Sequence, residues 1–483
     1  MAVCKKITHR LNTMKHLTRS ILLFFIIATS LQGFYRVNPV SAFSVGDEKE
    51  IGEQLLTMVR KEFKLIDEPD ITQYINNLGQ ATLDVAGPQF FNYHFFIINN
   101  KELNAFAAPS GLIFFHSGLV ESLDNEGELV GVVAHEIGHV VSRHLADRMS
   151  KSAKVSAATM LGVLLGIAIG AGPLSEALIS GSVAAGQSAA LSFSRLDEEE
   201  ADRLAFKWMQ EQNRDPSVMV GMLRKFHNIN RYRHGYIPPY LLTHPGPDIR
   251  MSYIQDLALF NTKKEYEQTD EFLFQRFKSR IICMTKDPIQ LIQYYQNTIT
   301  SLELDSAQAA KTNYILSQAY LAAADYENGE TALRKTIAFY PDKPILKADL
   351  GVMYLRSGRY EEALVQLQEA KKAERNNAYT TFYLAMTLEK TGKVQAASDL
   401  YEELLVTISD YAKLYYQLAN VKASLGQQGE GFYYYGYYYW YEGDLKNAQY
   451  HFSKAMTLLP QESYQKTNAE IMLKKIAQFE KDK

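Results

Sequence analysis

His135-Glu136-Ile137-Gly138-His139 sets two imidazoles four residues apart, with a carboxylate beside the first. On a helix, positions i and i+4 share a face, so both rings can reach one zinc ion. Glu136 then lies next to the metal, where it can take a proton from water as a general base. The residues before the motif, Leu129-Val130-Gly131-Val132-Val133-Ala134, are wholly apolar, as a buried helix requires.

A catalytic zinc takes a third protein ligand and keeps one position open. An elongated motif with a third histidine would need Gly at 142 and His at 145, and the chain has Ser142 and Leu145. His144 lies five residues past His139, off the metal-facing stripe, and reads as a packing or hydrogen-bonding residue. The acidic run Asp197-Glu198-Glu199-Glu200 offers the alternative. Helical phase puts Glu198 with Ala201, Asp202 and Ala205 on the buried side, and Glu200 with Arg203 and Lys207 in solvent. Glu198 is therefore the expected third ligand. Asp202, one turn on, can accept a hydrogen bond from a ligating histidine and fix its tautomer. An acidic first turn favouring the helix dipole suffices to explain Glu199 and Glu200.

These residues carry a family resemblance. His-Glu-Ile-Gly-His followed about 55 residues later by Ser194-Arg195-x-x-Glu198-x-x-Ala201-Asp202 resembles the M48 zinc metallopeptidases. Asn104-Ala105-Phe106-Ala107 through Gly111-Leu112-Ile113 resembles the segment that family sets before its metal helix. Thr243-His244-Pro245 with Arg250 resembles its downstream His-Pro element. The resemblance implies one zinc ion per chain on His135, His139 and Glu198, with Glu136 as general base. It also implies that His244 is near the metal, either filling the fourth position in a latent state or helping the oxyanion, with Arg250 in support. Without the resemblance, the His-Pro pair reads as a turn.

Elements must hold these groups. Helices are expected at Asp47–Phe63 and Glu126–Ser150, and strands at Tyr93–Ile98 and Leu112–His116, the latter as an edge along which an extended peptide substrate lies. Residues 155–175 carry no charge and would be long enough to span a bilayer. Because Glu136 and Glu198 flank this stretch and must meet, a buried or membrane-touching hairpin over 155–193 is expected instead, with peripheral membrane contact.

From about residue 310 a repeat takes over. Tyr320 and Tyr354, Gly358 and Gly392, and Ala363 and Ala397 all lie 34 apart, the period of the tetratricopeptide repeat. Four repeats are expected, with Tyr411–Gln428 out of register as an extra helix. Of the 31 tyrosines, 21 fall between Tyr314 and Tyr464. Tyr433, Tyr434, Tyr437, Tyr438 and Tyr441 with Trp440 sit between repeat positions and suggest a partner-binding patch.

The organisation expected is a leader at 1–42, a metalloprotease domain at 43–265, a helical connector at 266–309 and the repeats at 310–483. In fold class this is an α+β zincin-like metalloprotease domain, mostly helical with a small sheet, followed by an all-α tetratricopeptide solenoid. The leader has six basic and no acidic residues, an apolar run from Ile21 to Ala28, and Val40-Ser41-Ala42 at its end. That describes a secretory signal peptide, an uncleaved anchor being the alternative. Its removal leaves 45 basic against 54 acidic residues. With a whole-chain net charge of −3, no nucleic-acid partner is expected. Cys4 falls in the leader, so Cys283 has no disulfide partner.

Export, repeats and family resemblance together imply a zinc endopeptidase of the bacterial periplasm. Its substrates would be unfolded or misassembled proteins, outer-membrane proteins among them, with the repeats engaging the outer-membrane assembly machinery. The alternatives are a non-proteolytic chaperone or assembly adaptor working through the solenoid, and a membrane-embedded prenyl-peptide protease, which the leader and soluble repeats disfavour.

Overall fold

From Val45 the chain forms α1 (Val45–Glu62), α2 (Pro69–Ala86), β1 (His94–Ile98), β2 (Ala105–Ala108), β3 (Leu112–His116), α3 (Ser117–Ser122), α4 (Glu126–Val141) and α5 (His144–Lys151). Then come α6 (Arg195–Glu211), α7 (Val218–Tyr232), α8 (Pro239–Thr243), α9 (Pro247–Phe260), α10 (Glu271–Thr285) and α11 (Pro288–Ile299). The computed structural model describes residues 44–151, 192–232, 238–261, 265–267, 270–303 and 305–481. The leader and the apolar stretch at 155–175 lie outside these residues, as does nearly all of the return to 193. No described helix is long and apolar enough to cross a membrane.

The sheet has the order β1-β3-β2, with β1 parallel and β2 antiparallel to β3. Leu112–His116 is thus the central strand rather than the expected edge, its backbone groups facing ladders on both sides. The turn into β3 uses Ser110 (φ 70°) and Gly111 (φ 76°) to fold β2 and β3 into a hairpin, leaving the outer flank of β2 as an edge. Period-two alternation divides the side chains. Phe95, Ile97, Ile113 and Phe115 join the core under α4, while Phe96, Phe114 and Phe106 stack on the other face at 5.0–5.4 Å between ring centroids.

Helix α4 begins at Asn125, whose side chain accepts the Glu128 N–H at 2.9 Å. Its apolar run, Leu129 to Ala134, is fully buried. At roughly 1.5–3 kcal/mol for each large apolar side chain, this burial anchors the helix that carries the motif. The helix expected over Glu126–Ser150 breaks at Ser142–Arg143, where Arg143 turns left-handed (φ 53°) and reaches Glu48 Oε1 from Nε at 2.9 Å. Helix α6 starts in a capping box, with Ser194 and Asp197 each accepting the other's backbone N–H. α4 and α6 pack closely because Gly138 has no side chain: a Cβ there would meet Ala201 Cα at 3.1 Å.

The C-terminal helices pair as tetratricopeptide-type hairpins: α12 (Ala307–Ala322) with α13 (Tyr326–Phe339), α14 (Pro344–Arg356) with α15 (Tyr360–Ala373), α16 (Ala378–Lys390) with α17 (Val394–Leu404), and α18 (Ala412–Ser424) with α19 (Gln428–Tyr441). α20 (Leu445–Leu458) and α21 (Tyr464–Lys481) close the stack. Each hairpin turns on a left-handed residue 34 positions from the last: Ala324, Gly358, Gly392 and Gly426, with φ between 59° and 80°. Tyr411–Gln428 is therefore in register as the first helix of a fourth pair. Its half-repeat spacing arises because Gly443 (φ 75°) makes another such turn, so α19 packs against both α18 and α20.

This double packing consumes the tyrosines. Tyr433 and Tyr434 are buried, Tyr437 stacks on Tyr415 at 5.2 Å, Tyr441 lies beneath Arg60 of α1, and Trp440 stacks on Phe479. None of the six residues expected to form a docking patch is exposed. Their size is explained by filling space on two sides of one helix.

Within 266–309, α10 lies between the peptidase elements and the first helices of the repeats. Arg276 reaches Asp349 of α14 and Asp70 of α2, and Arg280 reaches Asp70 and Gln318 of α12. Glu68, before α2, accepts from Tyr383 at 3.0 Å and Lys413 at 2.9 Å. The row of first helices thus faces the peptidase. Cys283 is half-buried on α10, its thiol directed at Ile315 O.

Candidate metal centre

His135, His139, Glu198 and His244 converge, each fully or almost fully buried, with one ligand atom apiece within 4.8 Å of the others. His135 and His139 come from adjacent turns of α4, Glu198 from the first turn of α6, and His244 from the end of α8. The chain supplies these groups from positions as much as 109 apart.

The spacings suit a tetrahedral ion. Ligand atoms 2.0–2.2 Å from a shared zinc lie about 3.3–3.6 Å from one another. Here His135 Nε2 is 3.1 Å from His139 Nε2, 3.3 Å from His244 Nδ1 and 3.6 Å from Glu198 Oε2, and His139 Nε2 is 3.5 Å from Glu198 Oε1. Burial pushes the His139 imidazole well below its ordinary pKa, leaving a neutral ring with a lone pair to give. Burial alone would raise the Glu198 carboxyl, but His244 and Arg250 outweigh it and hold the carboxylate well below the usual range. Two imidazoles and a carboxylate make a zinc-type donor set, so the residues fit a metal.

A second tier fixes the first. His135 Nδ1 lies 2.8 Å from Asp202 Oδ1. Arg250 donates to both Asp202 oxygens, and its Nη1 sits 2.7 Å from Glu198 Oε2. Tyr253, three residues after Arg250 on the same face of α9, also donates to Asp202. Burial opposes the Asp202 charge, but Arg250 and His135 hold its carboxyl below the ordinary value.

Glu136 is fully buried and neither oxygen has a hydrogen-bond partner among the described residues, although His244 Nε2 faces Oε1 at 3.5 Å. A carboxylate buried without donors is expensive unless a reactant or ion completes it. His244 stacks on Tyr240 with ring centroids 4.5 Å apart. Phe193 stacks on His139 at 3.8 Å and donates its N–H to Thr243 O, closing the site from the side of α6.

The structure thus brings together every residue singled out from sequence: His135, Glu136, His139, Glu198, Asp202, His244 and Arg250. Tyr240, Tyr253 and Phe193 escaped notice, since a buried aromatic at helical spacing reads as core. The turn at Arg143 also returns His144 to the site, with Nδ1 2.9 Å from His139 Nδ1.

Residues 67–258 match the family model of Peptidase family M48. The protein carries an M48 peptidase domain and is a metalloendopeptidase of that type, joined to a tetratricopeptide-like helical stack. Among curated relatives, it is similar to the beta-barrel assembly-enhancing protease of Escherichia coli K12, 28% identical over 81% of this chain and 80% of that one. The protein of the same name from Yersinia pestis is 36% identical over half of each chain. Mitochondrial metalloendopeptidase OMA1 of Schizosaccharomyces pombe is 26% identical over 38% of this chain and 52% of its own.

Proposed function

We propose that this protein is a zinc-dependent endopeptidase of the bacterial periplasm that removes, or helps to assemble, misfolded outer-membrane proteins. The observation that carries the chemistry is the pairing of the His135–His139–Glu198 cluster with a buried Glu136 that has no hydrogen-bond partner among the described residues. Similarity to the beta-barrel assembly-enhancing proteases along most of the chain supports the compartment and the substrate class.

His135, His139 and Glu198 would hold the ion, which when bound supplies Lewis acidity and an acidified water. Glu136 would take the proton of the water that attacks the scissile carbonyl and return it to the leaving amine. His244 occupies the remaining position of the cluster in the resting enzyme and moves aside for substrate. Arg250 holds Asp202 and Glu198 in place, and through Asp202 fixes the proton of His135 on Nδ1. The outer edge of β2 offers main-chain groups to an extended peptide, a mode that tolerates many sequences. The repeats would engage the assembly machinery.

Zinc content by mass spectrometry and cleavage of unfolded casein, with and without chelator, test this reading. Glu136→Gln should keep zinc and fold while losing about 10²–10⁴-fold in turnover. If it cleaves like the parent, the assignment fails. If neither protein cleaves but both rescue misassembled barrels, the chain is an adaptor.

A further inference from the structure

We propose that His144 is a positioning residue for His139, with Glu200 setting its tautomer. The inference rests on the reading of His139 as a metal ligand.

His139 presents Nε2 to the cluster and Nδ1 to His144. His144 is 5% exposed, its Nδ1 lies 2.9 Å from His139 Nδ1, and the two rings meet edge to face at 71°. The far nitrogen of His144, Nε2, lies 3.3 Å from Glu200 Oε2, while Ser142 Oγ donates to Glu200 Oε1 at 3.0 Å.

Only one arrangement of protons satisfies the chain and leaves His139 able to ligate. A carboxylate accepts and does not donate, so Glu200 places the His144 proton on Nε2. His144 Nδ1 is then a bare acceptor, and His139 must carry its proton on Nδ1. That frees the His139 Nε2 lone pair, which faces His135 Nε2 across 3.1 Å. In the opposite arrangement a proton on His144 Nδ1 would force one onto His139 Nε2 and block it.

Five residues along a regular helix, His144 would point away from His139. The left-handed turn at Arg143, held by Glu48, folds the chain back and brings the ring beneath it. The two α4 ligands therefore have different supports. His135 donates to a buried carboxylate locked by Arg250, and His139 to an imidazole whose orientation is set by an exposed glutamate.

The test compares His144→Asn with His144→Gln in the full chain. Asn carries its amide oxygen near the position of Nδ1 and can still accept from His139. Gln reaches only toward Nε2. Zinc affinity is read by chelator competition, with zinc-to-protein ratio by mass spectrometry and melting of the metal-free protein as the fold control. His144→Gln should weaken zinc about 10- to 100-fold and His144→Asn by only a few-fold, with melting temperatures alike. Equal losses in the two variants, or no loss in either, would overturn the proposal. His135→Ala separates the two levels: if it still binds zinc like the parent, the ligand reading itself is wrong. If it loses zinc while the His144 variants are indifferent, only the positioning role falls.

Discussion

Arg250 and Asp202 face each other through two parallel hydrogen bonds of 2.8 Å each, directly beneath His135. Both residues are almost completely buried, so neither charge can exchange its partner for water. Removing one side of a buried pair typically costs about 3–5 kcal/mol, because the other is left uncompensated. Arg250→Met should therefore lower the melting temperature of the metal-free protein and weaken zinc about 10- to 100-fold through a loosened His135. A variant that melts and binds zinc like the parent would show that Asp202 needs no partner.

His244 is the one member of the cluster brought in by a short loop-bound helix. If it rests in the fourth position, His244→Ala should keep zinc near one per chain and raise casein turnover about 3- to 10-fold, since no closed state has to be opened. A fall of about 10²-fold or more at unchanged zinc content would assign it to oxyanion stabilisation instead. Single-turnover kinetics beside a zinc titration distinguish the two.

Arg276 grips Asp349 with two hydrogen bonds, 3.0 and 2.7 Å, and Asp70 with a third of 2.7 Å. It thereby ties α2 of the peptidase to α14 of the repeats. Arg276→Met alone should cost about 3–5 kcal/mol and expose the seam to limited proteolysis. Adding Asp349→Leu should recover much of that loss, because it removes the buried carboxylate left without its guanidinium, whereas Asp70 keeps Arg280 as a partner. Denaturant midpoints of the single and double variants provide the check; additive losses would mean that Arg276 and Asp349 do not act as a unit.

Ala324 occupies the hairpin turn that Gly358, Gly392 and Gly426 make elsewhere, at φ 59°. At those glycines a Cβ would touch nothing within 4 Å, so backbone conformation rather than crowding selects them. A non-glycine residue in the left-handed region costs about 1–2 kcal/mol. Ala324→Gly should stabilise the protein by about 1 kcal/mol, and Gly392→Ala should destabilise it by a similar amount, both read from urea unfolding.

Local spacing makes the metal motif legible, and helical phase singles out Glu198, because each signal is contained within one helix, α4 for the motif and α6 for Glu198. His244 and Arg250 could be placed only through the family likeness, since their approach to α4 is made by chain folding rather than by periodicity. His144 was misplaced for a related reason: its position depends on one left-handed residue, Arg143, that no hydrophobic pattern announces. β3 read as a strand but not as the central one, because strand order is set by pairing partners. In the repeats, the 34-residue interval fixed the hairpins, yet the second turn at Gly443 obscured the fourth pair. The tyrosines of α19 looked superfluous only while one neighbour was assumed where the fold supplies two.

The inner row of repeat helices already has an occupant. Arg276, Arg280, Glu68 and Gln73 of the peptidase side bond to Asp349, Gln318, Tyr383 and Asn376 along it. A protein that recognised this row would have to evict those side chains first, so its apparent Kd would be its intrinsic Kd divided by the fraction of molecules in which the seam is open. Docking there would then be a contest between an external ligand and a tethered one, and the winner would decide how firmly the peptidase is clasped without touching the metal centre.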